Sequence, residues 1–212
     1  MRRLFPAAVA LSLAGALFAA FAAGQQDGAA RDAWQRPAEV MDALGIHEGS
    51  AVADVGCGDG YFVERISRRV GTSGLVYGVD VDDEALRDLR RRVEREKLSN
   101  VRVVRGKESD PLLPPESLDA VLIVNAYHEM REFAAMLRAI HASLRHGGRL
   151  AVIDAVADDD ASRASQTSSH TIAESLVRKE AEEGGFRFRS KERGFERPES
   201  SRKHWYFLIF EK

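Results

Sequence analysis

The chain has 212 residues, 44% hydrophobic and 30% charged, with 17 Gly, 6 Pro and a single Cys. Such globular proportions exclude a collagen-like rod, wholesale disorder and a multi-span membrane protein, and one cysteine excludes an internal disulfide or a Cys-rich zinc or iron–sulfur site. With 31 Lys+Arg against 33 Asp+Glu the net charge is −2, so the basic footprint of a general nucleic-acid binder is missing and no nucleic-acid partner is expected.

In chain order, the first segment reads as a targeting signal. Arg2 and Arg3 precede an apolar run from Leu4 to Ala23, after which Gly24-Gln25-Gln26-Asp27 turns polar. A positive start, an apolar stretch and small residues around Ala20-Phe21-Ala22 are the parts of a secretory signal, cleaved after Ala22 or Gly24. The run lies between the roughly 7–15 residues of a signal core and the roughly 20 of a spanning helix; its alanine content favours the signal. The expected organisation is residues 1–24 as signal peptide or N-terminal anchor, 25–33 as linker and 34–212 as one domain. That domain is expected to be exported, periplasmic or secreted, or else anchored by residues 4–23, with the membrane touching it only there. No feature specifies an oligomeric state.

Beyond the linker, short apolar β-branched runs alternate with amphipathic helical patterns. This predicts an α/β fold, a parallel sheet with helices on both faces. Trp34-Gln35-Arg36-Pro37 leads into a helix. Strands are predicted over Ala51–Val55 and Leu75–Asp80, with a helix over Tyr61–Val70 between them, its Phe62, Ile66 and Val70 at spacing four. A helix over Asp82–Leu98 carries Ala85, Leu86, Leu89 and Val93 inward; its Arg87, Arg90, Arg91 and Arg95 face, laced with acids, is expected to be solvated. Val101–Arg105 and Leu118–Val124 are strands three and four. Phe133–Leu144 is a helix closed by Gly147-Gly148, and Arg149–Asp154 is strand five. Ala155–Ser169 is a polar loop of about 15 residues without periodicity, either functional or mobile. Thr171–Glu183 is helical, and Phe186–Arg193 and His204–Phe210 close the chain as a hairpin.

The most informative segment is Val52–Phe62, where a buried strand runs into Gly56, Gly58 and Gly60 and then opens a helix. Glycine lets a ligand touch the backbone, and the helix start offers free N–H groups. A dinucleotide fingerprint would need a glycine where Tyr61 stands, so a nicotinamide oxidoreductase is only the runner-up enzyme. No P-loop Gly-Lys-Ser/Thr follows. The second strand ends in Val79-Asp80, where a carboxylate can accept both hydroxyls of a ribose across the crevice, or cap the helix that follows. Asp54, odd in an apolar strand, is a loop-organising acid, a paired core carboxylate, or both.

These segments resemble class I S-adenosylmethionine-dependent methyltransferases, over Trp34 to Phe210. Asp54–Gly60 is similar to the first family motif and Val79-Asp80 to the second. Leu144–Leu150 resembles the turn before strand five, with His146 where the family commonly has proline. The adenine-side position is often Gly-Asp and is here Gly106-Lys107-Glu108, which leaves the contact among Lys107, Glu108 and Asp110. The resemblance implies a doubly wound, Rossmann-like, seven-stranded sheet, mostly parallel with an antiparallel last strand. It implies S-adenosyl-L-methionine as cofactor, held by Asp54, Gly56, Cys57, Gly58, Gly60, Asp80, Val81, Glu108 and Asn125. It implies methyl transfer to a small-molecule or peptidic acceptor. The alternative is a non-catalytic S-adenosylmethionine-binding module of the cell envelope, since export would remove the chain from the compartment where the cofactor is made.

Methyl transfer gains about 7–11 kcal/mol from alignment alone, and a base is needed only if the acceptor carries a proton. Asn125-Ala126-Tyr127-His128-Glu129 follows strand four at the carboxyl edge, where this architecture binds ligands; the resemblance makes it the fourth motif, facing the methyl group. It lacks the prolines of amino-methylating members. Asn125 is a cofactor or acceptor contact or a strand-end cap, and Tyr127 a stacking platform. His128 is a base near neutral pH or a plain loop histidine. His170 is a lid residue or the start of a helix. His47, His141 and His204 read as structural, and Cys57 as small packing. No metal site is expected: Glu132 stands where a zinc-protease motif needs its second histidine.

Overall fold

The computed structural model describes residues 31–192 and 204–212. The expected signal or anchor therefore lies outside the described residues, as does Arg193, the expected end of the sixth strand. Among the described residues no helix is long and apolar enough to cross a membrane. Residues 31–35 are helical and belong to a unit distinct from the compact body Pro37–Lys212.

That body opens with α1 (Pro37–Ala43), whose proline sits at the first helical position, where no N–H is needed. It continues with β1 (Ala51–Val55), α2 (Tyr61–Val70), β2 (Leu75–Asp80), α3 (Asp83–Arg95), β3 (Val101–Arg105) and β4 (Leu118–Val124). A 3-10 turn (Tyr127–Glu129), α4 (Phe133–Ser143), β5 (Leu144–Ala155), α5 (Arg163–Ser168), α6 (Glu174–Glu183), β6 (Arg187–Glu192) and β7 (Trp205–Glu211) complete it.

The strands form one seven-stranded sheet in the order β3-β2-β1-β4-β5-β7-β6. Pairing is parallel from β3 to β5, and β7 runs antiparallel to both β5 and β6. The mostly parallel sheet with its antiparallel last strand is thus the one expected. Right-handed crossovers that step outward from β1 in one direction and from β4 in the other put their helices on opposite faces. Central strands covered on both faces are largely apolar, and Leu118, Val121, Leu122, Ile123, Val152, Leu208 and Phe210 are buried accordingly, with the carboxylates Asp54 and Asp154 buried among them. The edge strands differ. β6 alternates exposed Arg187, Arg189 and Lys191 with half-buried neighbours, and such charges discourage further strand pairing.

Several boundaries depart from the sequence expectation. α3 stops at Arg95, earlier than expected, and Lys97 turns through φ +54°. Its arginine face is solvated as expected, with Arg91 paired to Asp88 and Arg95 to Glu96. Gly147-Gly148 does not close α4. The helix ends at Ser143, and the fully buried Leu144 passes directly into an extended β5, so burial of that side chain sets the boundary. The polar loop after β5 contains α5, capped by the Ser162 hydroxyl, which accepts from the Ser165 N–H. Buried Gln166 ties the segment together: its amide donates to Ala161 and its carbonyl accepts from the Ala173 N–H. α6 begins at Glu174 because the Ile172 N–H still donates to the Ala155 carbonyl, extending the sheet.

Candidate functional site

The carboxyl ends of β1, β2 and β4 open onto a cleft of about 760 Å³, at the point where the strand order reverses. Gly56, Gly58, Asp80, Val81, Glu108, Asn125 and His170 line it. Asp54, Cys57, Gly60, Tyr127 and His128 are not among its lining residues; they stand around or beneath it. Seven of the twelve candidate residues thus share one cleft, and the other five stand outside its wall.

The glycine loop is fixed by the sheet and by one carboxylate. The Gly56 and Cys57 N–H groups both donate to the Val79 carbonyl at 2.8 and 3.0 Å. Asp80 Oδ2 accepts from the Gly58 N–H at 2.9 Å, while Oδ1 accepts from Val81 and Asp82 at 2.7 and 3.0 Å. Asp80 thus faces the loop and also orders the chain entering α3, whose cap is Asp82. Asp54 and Cys57 are buried. Burial, reinforced by the negative charges of Asp54 and Asp80, pushes the Cys57 thiol far up, so it stays protonated packing. Arg92, unnoticed in the sequence, pins the loop from α3 by pairing with Asp59 at 2.6 Å and Glu64 at 3.3 Å.

Gly60 has φ +85°, and a Cβ there would lie 2.3 Å from Leu89 Cδ1; Gly58 has φ +54° with open space at the Cβ position. Gly60→Ala combines a left-handed backbone with a clash against a buried leucine and is expected to cost about 2–4 kcal/mol of stability. Gly58→Ala carries only the backbone cost, about 1–2 kcal/mol. Urea unfolding of the two variants checks the ranking; equal losses would mean that the α2–α3 contact does not constrain the loop.

After β4 the chain turns sharply. Asn125 sits at φ +54°, and its N–H donates to the Ile153 carbonyl at 2.7 Å; its side chain is exposed at the cleft. Tyr127 is 0% exposed, with its hydroxyl donating to Glu180 Oε2 at 2.7 Å. It points into the core, so a stacking role over an acceptor is not open to it. Arg163 of α5 reaches both Glu180 oxygens at 3.0 Å and donates to the Met130 carbonyl at 2.9 Å. Burial raises the Glu180 carboxyl above its ordinary value, against the pull of the Tyr127 hydroxyl and Arg163. Burial, and then the Glu180 carboxylate, push the Tyr127 hydroxyl far up.

His128 is 1% exposed. Its Nδ1 lies 2.9 Å from Asp154 Oδ1, and its backbone N–H donates to Asp154 Oδ2 at 3.1 Å. Asp154 is fully buried and also accepts from the Ala155 N–H at 2.8 Å. With the Asp154 oxygens accepting, His128 Nδ1 is the donor, and in the neutral tautomer Nε2 presents a lone pair. That lone pair points to His170 Nδ1 at 3.3 Å, beside Glu129 Oε1 at 3.6 Å. The Thr167 hydroxyl donates to the His128 carbonyl at 2.8 Å and joins α5 to the turn. His170, at φ +51°, aims its ring at the same point. Asp154, Arg163 and Glu180 were not anticipated from the sequence, and Glu129 only as the last residue of the Asn125–Glu129 segment. The available signal for Asp154 was the one that marked Asp54: an acid within an apolar strand.

Residues 52–148 match a protein family described as "Methyltransferase domain". The demethylmenaquinone methyltransferase of Listeria welshimeri is 29% identical over 121 residues, 57% of this chain and 50% of that protein; the chain spans about half the length of the curated relatives it matches. A SAM-dependent methyltransferase from Aquifex aeolicus superposes with a TM-score of 0.72 at 24% identity, over 85% of this chain and 92% of that one. The [4+2]-cyclase SpnF superposes with a TM-score of 0.70 at 18% identity, over 83% and 80%. The chain has the class I S-adenosylmethionine-dependent methyltransferase fold.

Proposed function

We propose that the chain binds S-adenosyl-L-methionine at the glycine loop and transfers its methyl group to a small-molecule or peptidic acceptor. The observation that carries this reading is Asp80, whose carboxylate faces the Gly58 N–H across the cleft at 2.9 Å. The residues fit that cofactor. Gly58 leaves its Cβ position open, so a ligand can approach the backbone; Asp80 and Val81 suit the ribose, and Lys107 and Glu108 line the side where adenine would lie. Asp110 turns back instead, its carbonyl accepting from the Lys107 N–H at 2.8 Å. When bound, the cofactor supplies an electrophilic sulfonium methyl. The acceptor would enter beside Asn125, Glu129 and His170, and any proton it carries would be dealt with where His128, Glu129 and His170 meet. The Listeria relatives are named for demethylmenaquinone; with half of their length matched, that acceptor is not carried over.

A second reading, cofactor binding without transfer, is favoured by the apolar run of residues 4–23, which would export the chain away from the cofactor pool. The fold itself accommodates other chemistry, since it is shared with the [4+2]-cyclase SpnF. Calorimetric titration of the purified chain with S-adenosylmethionine is expected to give one site per chain, and absence of heat would end both readings. Incubation with labelled cofactor and fractionated cell extracts is expected to label an acceptor in the envelope fraction. Saturable binding with no label in any fraction would leave the binding module.

A further inference from the structure

Three ligand-type atoms converge at the acceptor end of the cleft. His128 Nε2 and His170 Nδ1 are 3.3 Å apart, His170 Nδ1 and Glu129 Oε1 are 3.5 Å apart, and His128 Nε2 and Glu129 Oε1 are 3.6 Å apart. The two histidine nitrogens are within reach of a long hydrogen bond, whereas both contacts to Glu129 exceed the usual 2.7–3.2 Å. A tetrahedral zinc ion with bonds of about 2.1 Å holds its ligands about 3.4 Å apart, and this near-equilateral triangle matches one face of such a tetrahedron.

The surroundings fit the same chemistry. Nδ1 of His128 is committed to buried Asp154, which fixes the ring and leaves Nε2 as a lone-pair donor. Metal-bound histidines are held by a carboxylate in this way, and loss of that partner costs 10–100-fold in affinity. The remaining two ligands are exposed and line the cleft, so a cation could enter and its fourth position would open onto the acceptor space. Two imidazoles and a carboxylate form a donor set that zinc and neighbouring divalent metals accept while keeping an exchangeable position.

We propose that His128, Glu129 and His170 bind one divalent cation of the zinc class, with Asp154 positioning His128. Only the occupant of the fourth position rests on the methyl-transfer reading. There the cation would take an acceptor hydroxyl or thiol and lower its pKa, so that the proton leaves to water. An acceptor held there would be aligned for displacement at a sulfonium methyl, its new bond to carbon forming as the carbon–sulfur bond breaks and that electron pair stays on sulfur.

The test is zinc titration of the full-length, tag-free chain by calorimetry, with cobalt(II) as a spectroscopic stand-in. One cation per chain is expected, with the visible band of tetrahedral cobalt. Glu129→Gln and His170→Ala, both exposed, should each weaken uptake by at least about tenfold and abolish the band. Asp154→Asn should weaken it by about 10–100-fold in protein whose melting transition remains cooperative. No uptake by the wild-type chain, or uptake unchanged in both exposed variants, would overturn the proposal and leave the two histidines as a hydrogen-bonded pair. S-adenosylmethionine titration of the same wild-type sample is scored separately. Zinc uptake without cofactor binding upholds the cation site and ends the methyltransferase reading; cofactor binding without zinc uptake does the reverse.

Discussion

Asp80→Ala is expected to weaken S-adenosylmethionine binding by at least about 100-fold, while global stability falls far less. The carboxylate lies at the end of β2 on the cleft wall, one oxygen toward Gly58 and the other toward Val81 and Asp82. A ribose diol bound there would donate two hydrogen bonds to an ionised acceptor, each worth about 1.5–3 kcal/mol. At about 1.4 kcal/mol per tenfold, losing both exceeds two decades. The three N–H groups left behind border an open cleft, so water can replace the lost oxygens and the folding cost is limited. Asp80→Asn keeps one acceptor oxygen and should fall between the two. Calorimetry for affinity and urea unfolding for stability separate the effects. An affinity that survives Asp80→Ala, with stability lost instead, would reduce the residue to a loop tie and a prelude to the Asp82 cap.

The contrast between β5 and the segments around it explains what the sequence made legible. Strands β1 to β4 and helix α2 are each written by local patterning: a short run rich in β-branched apolar residues, or apolar residues at spacing four. Their limits in the structure are those expected from the residues alone. Leu144 and Gly147-Gly148 obey a different cause. Pairing with Leu118 across a register shift pulls the whole turn into the sheet, and no local pattern encodes that partner. The glycine-loop side of the cleft was legible for the same reason as the strands, since Gly56 to Gly60 and Asp80 lie on consecutive elements. The side around His128 was not. His128, Asp154 and His170 come from three separated segments that meet only because β4 and β5 pair and α5 folds back through Thr167. Tyr127 was misjudged because its neighbour His128 and the loop context said "cleft", whereas its partner Glu180 lies 53 residues away in the core.

Arg163→Met is expected to destabilise the fold by about 3 kcal/mol near neutral pH and by much less in acid. Removing one member of a buried ion pair typically costs about 3–5 kcal/mol, because the other charge is left uncompensated. Arg163 retains 22% exposure, which argues for the lower end, while Glu180 retains only 5%. Burial already holds the Glu180 carboxyl above its ordinary 4.5. A folded value raised in this way means that the native state binds the proton more tightly than the unfolded chain. Its contribution is therefore full below about 4.5 and declines as pH rises toward the folded value. Without Arg163 the folded value rises further, so the decline continues to higher pH and the gap to wild type widens. Urea unfolding at about pH 4 and about pH 7 measures that gap. In a Glu180→Gln background the cost of Arg163→Met should be the same at both pH values, since neither member of the comparison then has a carboxylate to ionise. With Glu180 present, a loss equal at both pH values would assign the arginine's role to its packing over Phe133, 4.2 Å from the ring centroid, rather than to charge. Either way α5 loses its pin to α6 and to Met130. The segment that carries Thr167 and delivers His170 to the cleft is then held less tightly, so this variant should also lower the affinity of the proposed cation site.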